Sequence, residues 1–290
     1  MKQAEIKALI SLLDDTDQVV FEHVEAKLLS LGTCIIDDLE RAWEESLNPF
    51  FQERIENIIH RLQILVVKDR MTDWVQNKQD DLLYGMWVIA TFQYPELDIE
   101  ILKGKIESLF YEVEKKVKEL SEPIEKVRLL NDLFYLKYHF STNIKNFHAP
   151  SNSMLNEVLD KKKGNPISLA VIYLLIAQRM HLPIYGVNLP KLFVLTCQAP
   201  NDTFYINTNN RGQIFSRDDI KQFLDELKFP AKQKYFEACS HLDIITRVLR
   251  NLEFSFVKLG DEEHTNDIRE LLVLVLQYSD RTNFLGNPEE

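Results

Sequence analysis

The strongest constraint on the fold is a helix whose apolar residues lie on every side. Asn165 is a typical N-cap residue and Pro166 a typical first helical residue, and apolar side chains then dominate from Ile167 to Ala177. A helix of this kind has to be enclosed by other structure, and this apolar run is too short to cross a bilayer. The sequence therefore predicts a buried helix from Asn165 to Met180 at the centre of a domain, with no membrane association.

After Pro183 the spacing of apolar residues changes from helical to alternating. Three short strands are predicted at Tyr185–Leu189, Leu192–Cys197 and Phe204–Asn207. A turn at Asn209–Gly212, a further short strand and a helix from Asp218 to Leu227 follow. Polar turns separate the strands, as in antiparallel hairpins. The sequence thus places a small antiparallel sheet directly after the buried helix.

Helical spacing dominates the rest of the chain. Residues 1–70 are predicted to hold four helices, the second ending at Gly32, in a pattern that resembles a HEAT-type repeat or, equally, an unrelated helical bundle. The polar stretches Met71–Asp81 and Asn143–Ser153 are predicted to be loops, the second irregular and at the surface. Two amphipathic helices separated by Gly260 form a C-terminal hairpin in residues 231–290.

These patterns predict an α+β fold that is mostly α. Its expected parts are an N-terminal helical region (1–70), either HEAT-like or an unrelated bundle, a core with a small antiparallel sheet (71–230) and a C-terminal helical hairpin (231–290). Acidic residues number 45 against 34 basic ones, a net charge of −11, which argues against a nucleic-acid or membrane-surface partner.

The cysteines and histidines indicate no metal site or cofactor. Cys34, Cys197 and Cys239 are widely separated and form no CxxC pair, and no His/Cys/Asp spacing typical of zinc occurs. No secretory signal is recognised at the start of the sequence. We therefore expect reduced thiols and a cytoplasmic protein.

Three segments carry a resemblance to a known family. The runs GNPISLAVIYLLIAQRM (164–180), VNLPKLFVL (187–195) and FYINTNNRG (204–212) resemble the SirB-type branch of the transglutaminase-like superfamily, and the C-terminal hairpin resembles that branch's tetratricopeptide-like tail. The resemblance implies a papain-like core in which a cysteine begins the buried helix and a histidine and an aspartate lie on adjacent strands. The helix N-terminus and the imidazolium would lower the pKa of the thiol, and the aspartate would orient the imidazole.

The residues at those positions imply that this chemistry is lost. Pro166 or Ile167 takes the place of the cysteine, Lys191 and Leu192 take the places of a Gly-His pair, and Asn207 takes the place of the aspartate. The resemblance therefore implies a cleft with no catalytic residue, formed by Asn165, Pro166, Ile167, Ser168, Lys191, Leu192 and Asn207. The predicted function is a non-catalytic module that binds or scaffolds a protein or peptide.

Two other function classes stay open. A hydrolase or acyl transferase would use Ser168 or Cys197 as nucleophile with His139 or His148 as base, whereas a purely structural subunit would have no concave pocket at the helix start. Lys161, Lys162 and Lys163 precede the helix and, with its free backbone amides, form a candidate anion site.

Overall fold

The computed structural model describes residues 3–200 and 202–278. The chain divides into two compact units, Met1–Arg70 and Met71–Glu290, and the division falls inside a long helix.

The first unit is helical. Its helices are α1 (Gln3–Ser11), α2 (Gln18–Leu29), α3 (Ile36–Glu45) and the first part of α4 (Pro49–Asn77). The side chain of Asp17 caps α2 by accepting from the backbone N–H of Val19, and Gly32 follows that helix with φ +71°. The apolar faces share one core, formed by Ile6, Ile10, Leu13, Val24, Leu28, Ile35, Leu39, Ile55, Ile58 and Leu62.

The prediction of a loop from Met71 to Asp81 is wrong for most of this stretch. Helix α4 continues to Asn77, because Met71, Trp74 and Val75 are buried at the spacing of one helix face. The indole N–H of Trp74 donates to the carbonyl of Asp81, 2.9 Å away. Tertiary burial of three apolar side chains thus outweighs the polar residues between them.

The second unit begins with three further helices. These are α5 (Leu82–Thr91), α6 (Ile99–Lys118) and α7 (Pro123–Asn131). Helix α7 passes into a π-helical turn, Asp132–Lys137, that buries Leu133, Phe134 and Tyr135. The sequence predicts one regular helix from Ile124 to Tyr138 and gives no signal for the π turn, which shifts the direction of these side chains.

The predicted central helix is confirmed. After α8 (Leu155–Lys161), the short strands β1 (Ser141–Thr142) and β2 (Lys163–Gly164) pair in parallel, and α9 runs from Pro166 to Arg179. Every residue of α9 from Ile167 to Ala177 is buried. The helix packs against α6, α8 and the sheet that follows it.

That sheet is antiparallel, with strand order β3-β4-β5-β6. Its strands are β3 (Ile184–Leu189), β4 (Leu192–Ala199), β5 (Asp202–Asn207) and β6 (Gln213–Phe215). Side chains alternate between its faces: Leu189, Leu192 and Tyr205 lie on the face that packs against α10 (Arg217–Glu226).

The opposite face packs against α9 and against α11 (His241–Leu259). A Cβ atom on Gly186 would lie 2.6 Å from the ring of Phe193 and 3.2 Å from Ile244 of α11, so the strand and helix approach closely there. Gly260, with φ +72°, then turns the chain into α12 (Glu262–Leu276).

The predicted α+β, mostly helical architecture with a small antiparallel sheet is therefore confirmed. The parallel pair β1–β2 was not predicted. In the described ranges, no helix has the length and apolar character required to span a membrane.

Candidate functional site

The start of α9, where the resemblance places a nucleophile, is buried. Ile167 is 1% and Ser168 0% exposed. The side chain of Asn165 caps the helix: its Oδ1 accepts from the backbone N–H of Ser168 at 2.9 Å, and its Nδ2 donates to Ser153 Oγ at 2.9 Å. Most of the helix start is thus covered by protein.

A network of asparagine side chains forms that cover. Asn152 Oδ1 accepts from Asn143 Nδ2 at 2.9 Å, and Asn152 Nδ2 donates to the carbonyls of Asn146 and Phe147. The backbone carbonyl of Asn152 accepts from the N–H of Asn165 at 3.3 Å. The predicted irregular surface loop is therefore wrong at its end: Pro150–Ser153 is a 3₁₀ turn in which Asn152 and Ser153 are buried. Polar composition suggested exposure, but neutral amides that satisfy one another can be buried.

The backbone of Gly164 passes tightly beneath this cover. A Cβ atom there would lie 2.8 and 2.9 Å from the methyl groups of Val158, and 3.4 Å from the carbonyl of Asn152. Glycine is required because any side chain would push α8 away from the start of α9.

The hairpin between β3 and β4 positions the next two residues. Leu189 pairs with Leu192, so Pro190 and Lys191 form a two-residue turn, and Lys191 has φ +60°. Proline followed by a residue with positive φ is the pattern of a type II turn, which favours glycine at the second position. Leu192 then lies on the face of the sheet that packs against α10.

Asn207 is used to hold the turn that follows β5. Its Oδ1 accepts from the backbone N–H groups of Asn209 (3.1 Å) and Asn210 (3.2 Å), which shapes the 3₁₀ turn Thr208–Asn210. Thr142 Oγ1 donates to Asn209 Oδ1 at 2.5 Å. The carboxamide oxygen of Asn207 is therefore committed to backbone donors.

Side chains of the π turn and of α7 donate hydrogen bonds to the loop between β5 and β6. Tyr135 donates its hydroxyl to the carbonyl of Thr208 at 2.9 Å, and burial raises the pKa of Tyr135 far above its usual range, so the hydroxyl stays protonated. Asn131 Nδ2 donates to the carbonyl of Gly212 at 2.9 Å. Gly212 has φ +68°, and a Cβ atom there would lie 2.0 Å from Asn131 Oδ1.

Leu192 and Asn207 meet at an open cavity of about 420 Å³ between the sheet and α10. The residues that line it are Leu189, Leu192, Asn207, Gln213, Ile214, Phe215, Asp219, Ile220 and Phe223. The predicted cleft residues of α9 are not among them. The cavity thus joins two of the predicted site residues, Leu192 and Asn207, and the start of α9 does not line it, although the turn that follows Asn207 contacts α9.

Sequence reasoning missed Gln213, Phe215, Asp219 and Phe223. A signal was present, since Ile220, Phe223 and Leu224 have the spacing of one helix face. That spacing indicates a buried face but not that part of it is left open.

The alternative nucleophiles are buried, whereas the alternative bases are exposed. Ser168 Oγ is buried and has no hydrogen-bonding partner among the described residues. Cys197 is fully buried within β4, whereas His139 and His148 are exposed, the latter against Phe147 and Phe254.

The lysines that precede α9 have contacts of their own. Lys161 pairs with Glu157, and Lys162 donates to the carbonyl of Leu159 at 2.5 Å and lies over the ring of Phe140. Burial lowers the pKa of Lys162. Lys163 is exposed on β2. In the described part of the chain, no group of three or more His, Cys, Asp or Glu residues has an arrangement suited to a metal ion.

Comparison with known proteins gives relatives at low identity. The UPF0162 protein of Xylella fastidiosa (strain 9a5c) is 28% identical over 171 residues, which are 57% of this chain and 61% of the relative. The UPF0162 protein PM0557 of Pasteurella multocida (strain Pm70) is 34% identical over 106 residues, 37% of this chain and 40% of the relative. The UPF0162 protein YchA of Escherichia coli (strain K12) is 23% identical over 173 residues, 59% of this chain and 63% of the relative.

The chain therefore covers less than two thirds of these relatives' length. No solved structure matches it. The profile of the Transglutaminase-like superfamily matches residues 100–250, which extend from α6 into α11 and make up just over half of the 290 residues. They include the buried helix, the sheet and the cavity, and the chain belongs to the transglutaminase-like superfamily.

Proposed function

We propose that this chain is a non-catalytic member of the SirB-type branch that binds a peptide segment of a partner protein in the cytoplasm. The observation that carries the proposal is the division of the predicted cleft. Leu192 and Asn207 line an open cavity, while the helix start that would carry a nucleophile is buried under asparagines.

Three features of the site support the absence of catalysis. Pro166 and Ile167 have no nucleophilic group, Leu192 has no nitrogen to accept a proton, and the Asn207 oxygen accepts from two backbone N–H groups. The positive φ of Lys191 supports the gapless alignment that puts Leu192 in the place of the histidine, because glycine is expected at the preceding position.

The chemistry of the cavity supports peptide binding. Leu189, Leu192, Phe215 and Phe223 give it an apolar lining, and Asn207, Gln213 and Asp219 add polar groups. Apolar pockets with a few polar groups are typical binding sites. The strand β6, which lines the cavity, is also an edge of the sheet, so an extended segment has both a pocket for an apolar side chain and a strand edge beside it.

The exposed thiol of Cys34 suits a reducing compartment and supports the cytoplasmic part of the proposal.

The test is a selection of displayed random peptides on the wild-type chain, followed by affinity measurements on two variants. Leu192→Asp puts a charge into the cavity and should reduce the affinity of selected peptides at least tenfold. Leu136→Asp, at an exposed position of the π turn, is the matched control and should leave it unchanged. Selected peptides that bind both variants as tightly as the wild type would contradict the proposal.

The enzyme alternative is tested separately with acylating probes for serine and cysteine nucleophiles. We expect no stoichiometric labelling of Ser168 or Cys197, because both side chains are buried. Labelling of either residue that denaturation abolishes would establish a reactive site and overturn the non-catalytic assignment.

A further inference from the structure

The guanidinium of Arg247 on α11 is partly buried. Its Nη1 donates to Asn188 Oδ1 at 3.1 Å, a neutral acceptor. Among the described residues, no carboxylate lies within ion-pair distance of it. Other arginines of this acidic chain do have such partners, for example Arg61 with Glu25 and Arg269 with Glu253.

An unpaired guanidinium at a partly buried position is costly, because burial removes water from the charge. Burial, and secondly the nearby positive charge of Arg250, lowers the pKa of Arg247. The local environment therefore disfavours the cation, and a negatively charged group beside it would relieve both effects.

The course of α11 places this guanidinium close to the predicted cleft. Ile244 contacts the strand β3 at Gly186, Arg247 bonds to Asn188 further along the same strand, and Phe254 contacts His148. Helix α11 thus runs from the middle of β3, past the end of the strand, to the segment that covers the start of α9, where it also packs against the turn Pro150–Ser153.

From this geometry we propose that Arg247 is the centre of an oxyanion site. The ligand group is a carboxylate or a phosphate, which matches the planar fork of donors on a guanidinium. Asn188 orients the fork by taking one N–H, and the remaining N–H groups bind the oxyanion. This site lies on the α9 and α11 side of the sheet, and the peptide-binding cavity lies on the α10 side, so it does not depend on the proposed function.

The test measures the Tm of the full chain in sodium acetate and in sodium phosphate, each against sodium chloride at equal ionic strength. A ligand that binds only the folded state raises Tm, and a few-fold excess over the Kd corresponds to a rise of about 2–4 °C for a unit of this size. Phosphate also stabilises proteins in general, so the readout is the difference between wild type and variants.

Two variants and a control define the result. Arg247→Gln should lose the extra stabilisation, and Asn188→Asp should raise Tm in chloride and remove the response, because it supplies the missing carboxylate from within. Arg269→Gln should respond like the wild type. A response to acetate alone identifies a carboxylate ligand and a response to phosphate alone a phosphoryl ligand. The proposal is overturned if the Tm of the wild type responds to neither anion, or if Asn188→Asp responds as the wild type does. Neither of these two outcomes depends on whether Arg247→Gln folds.

Discussion

Two regions of the second unit differ in how far their side chains are covered. At the start of α9, the side chains of Asn152 and Asn165 are buried and bond to neighbouring side chains and backbone groups, so a position that could hold a nucleophile is closed. On the α10 side of the sheet, apolar side chains remain partly open around a cavity, although the neighbouring residue Asn207 is tied to its own turn.

The difference indicates which region contributes to stability and which to binding. A buried amide without a hydrogen-bonding partner lowers the stability of the fold. Substitutions in the network around Asn152 should therefore reduce the free energy of unfolding strongly. Substitution of the partly exposed residues of the cavity should change the free energy of unfolding less. These residues can bury further apolar surface when a partner binds.

The largest effect is expected at the closed region. Asn152→Ala removes one acceptor and two donors from a buried network and leaves Asn143 Nδ2 without its partner. We expect the free energy of unfolding to fall by about 2–4 kcal/mol, measured by urea denaturation.

The matched control is Asn146→Ala. Asn146 is exposed and enters the same network through its backbone, so this variant should change stability by less than about 0.5 kcal/mol. Equal effects of the two substitutions would show that the network does not hold the helix start closed.

A smaller effect of opposite sign is expected at the hairpin that leads into the cavity. Lys191→Gly removes the strain of a non-glycine residue at φ +60°, and part of the gain is lost to the greater entropy of the unfolded chain. We expect a net stabilisation of about 0.5 kcal/mol by the same measurement.

Lys163→Gly is its control, since this exposed lysine lies in the strand β2. It should destabilise the protein by about 0.5–1 kcal/mol, because glycine weakens extended segments. A loss of stability in Lys191→Gly as large as in Lys163→Gly would argue against the type II turn.

The smallest effect is expected in the wall of the cavity. The backbone N–H and the hydroxyl of Ser216 both donate to the Asp219 carboxylate and lower the pKa of Asp219 below its usual 3.8. A depressed pKa stabilises the folded state above pH 3.8, and this stabilisation is lost as the pH falls through the folded-state pKa.

Asp219→Asn should therefore lower Tm slightly near pH 7 and match the wild type at pH 2. Thermal unfolding between pH 2 and pH 7 would show this as a flatter profile for the variant. If the two profiles run parallel over this range, the Ser216–Asp219 capping box does not contribute as proposed.

Much of the fold followed from local patterns. The N-cap at Asn165, the proline at the first position of α9 and the alternation of apolar residues in β3, β4 and β5 each predicted an element that the structure contains. These signals depend on short-range geometry, so sequence alone was sufficient. The end of α4 was misjudged because Trp74 is buried by tertiary packing, with its ring against Gly85 of α5, and periodicity within α4 does not show this.

The site was less predictable for the same reason. The chain could show that Leu192 and Asn207 replace a histidine and an aspartate of the resembled motif, but not that one cavity joins them, since this depends on the β4–β5 register and on the docking of α10. Likewise, the composition of the Asn-rich stretch Asn143–Ser153 predicts a surface loop, because it does not show that the amide of Asn152 is buried and hydrogen-bonded.

By itself, the sequence determined the identity of the elements and the side chains available at each position, because propensity, capping and periodicity act within a few residues. Only the tertiary structure decided which of those side chains are covered and which stay open. Burial and hydrogen-bond pairing are properties of residues brought together from distant parts of the chain, as Tyr135 and Thr208 are beside Asn207.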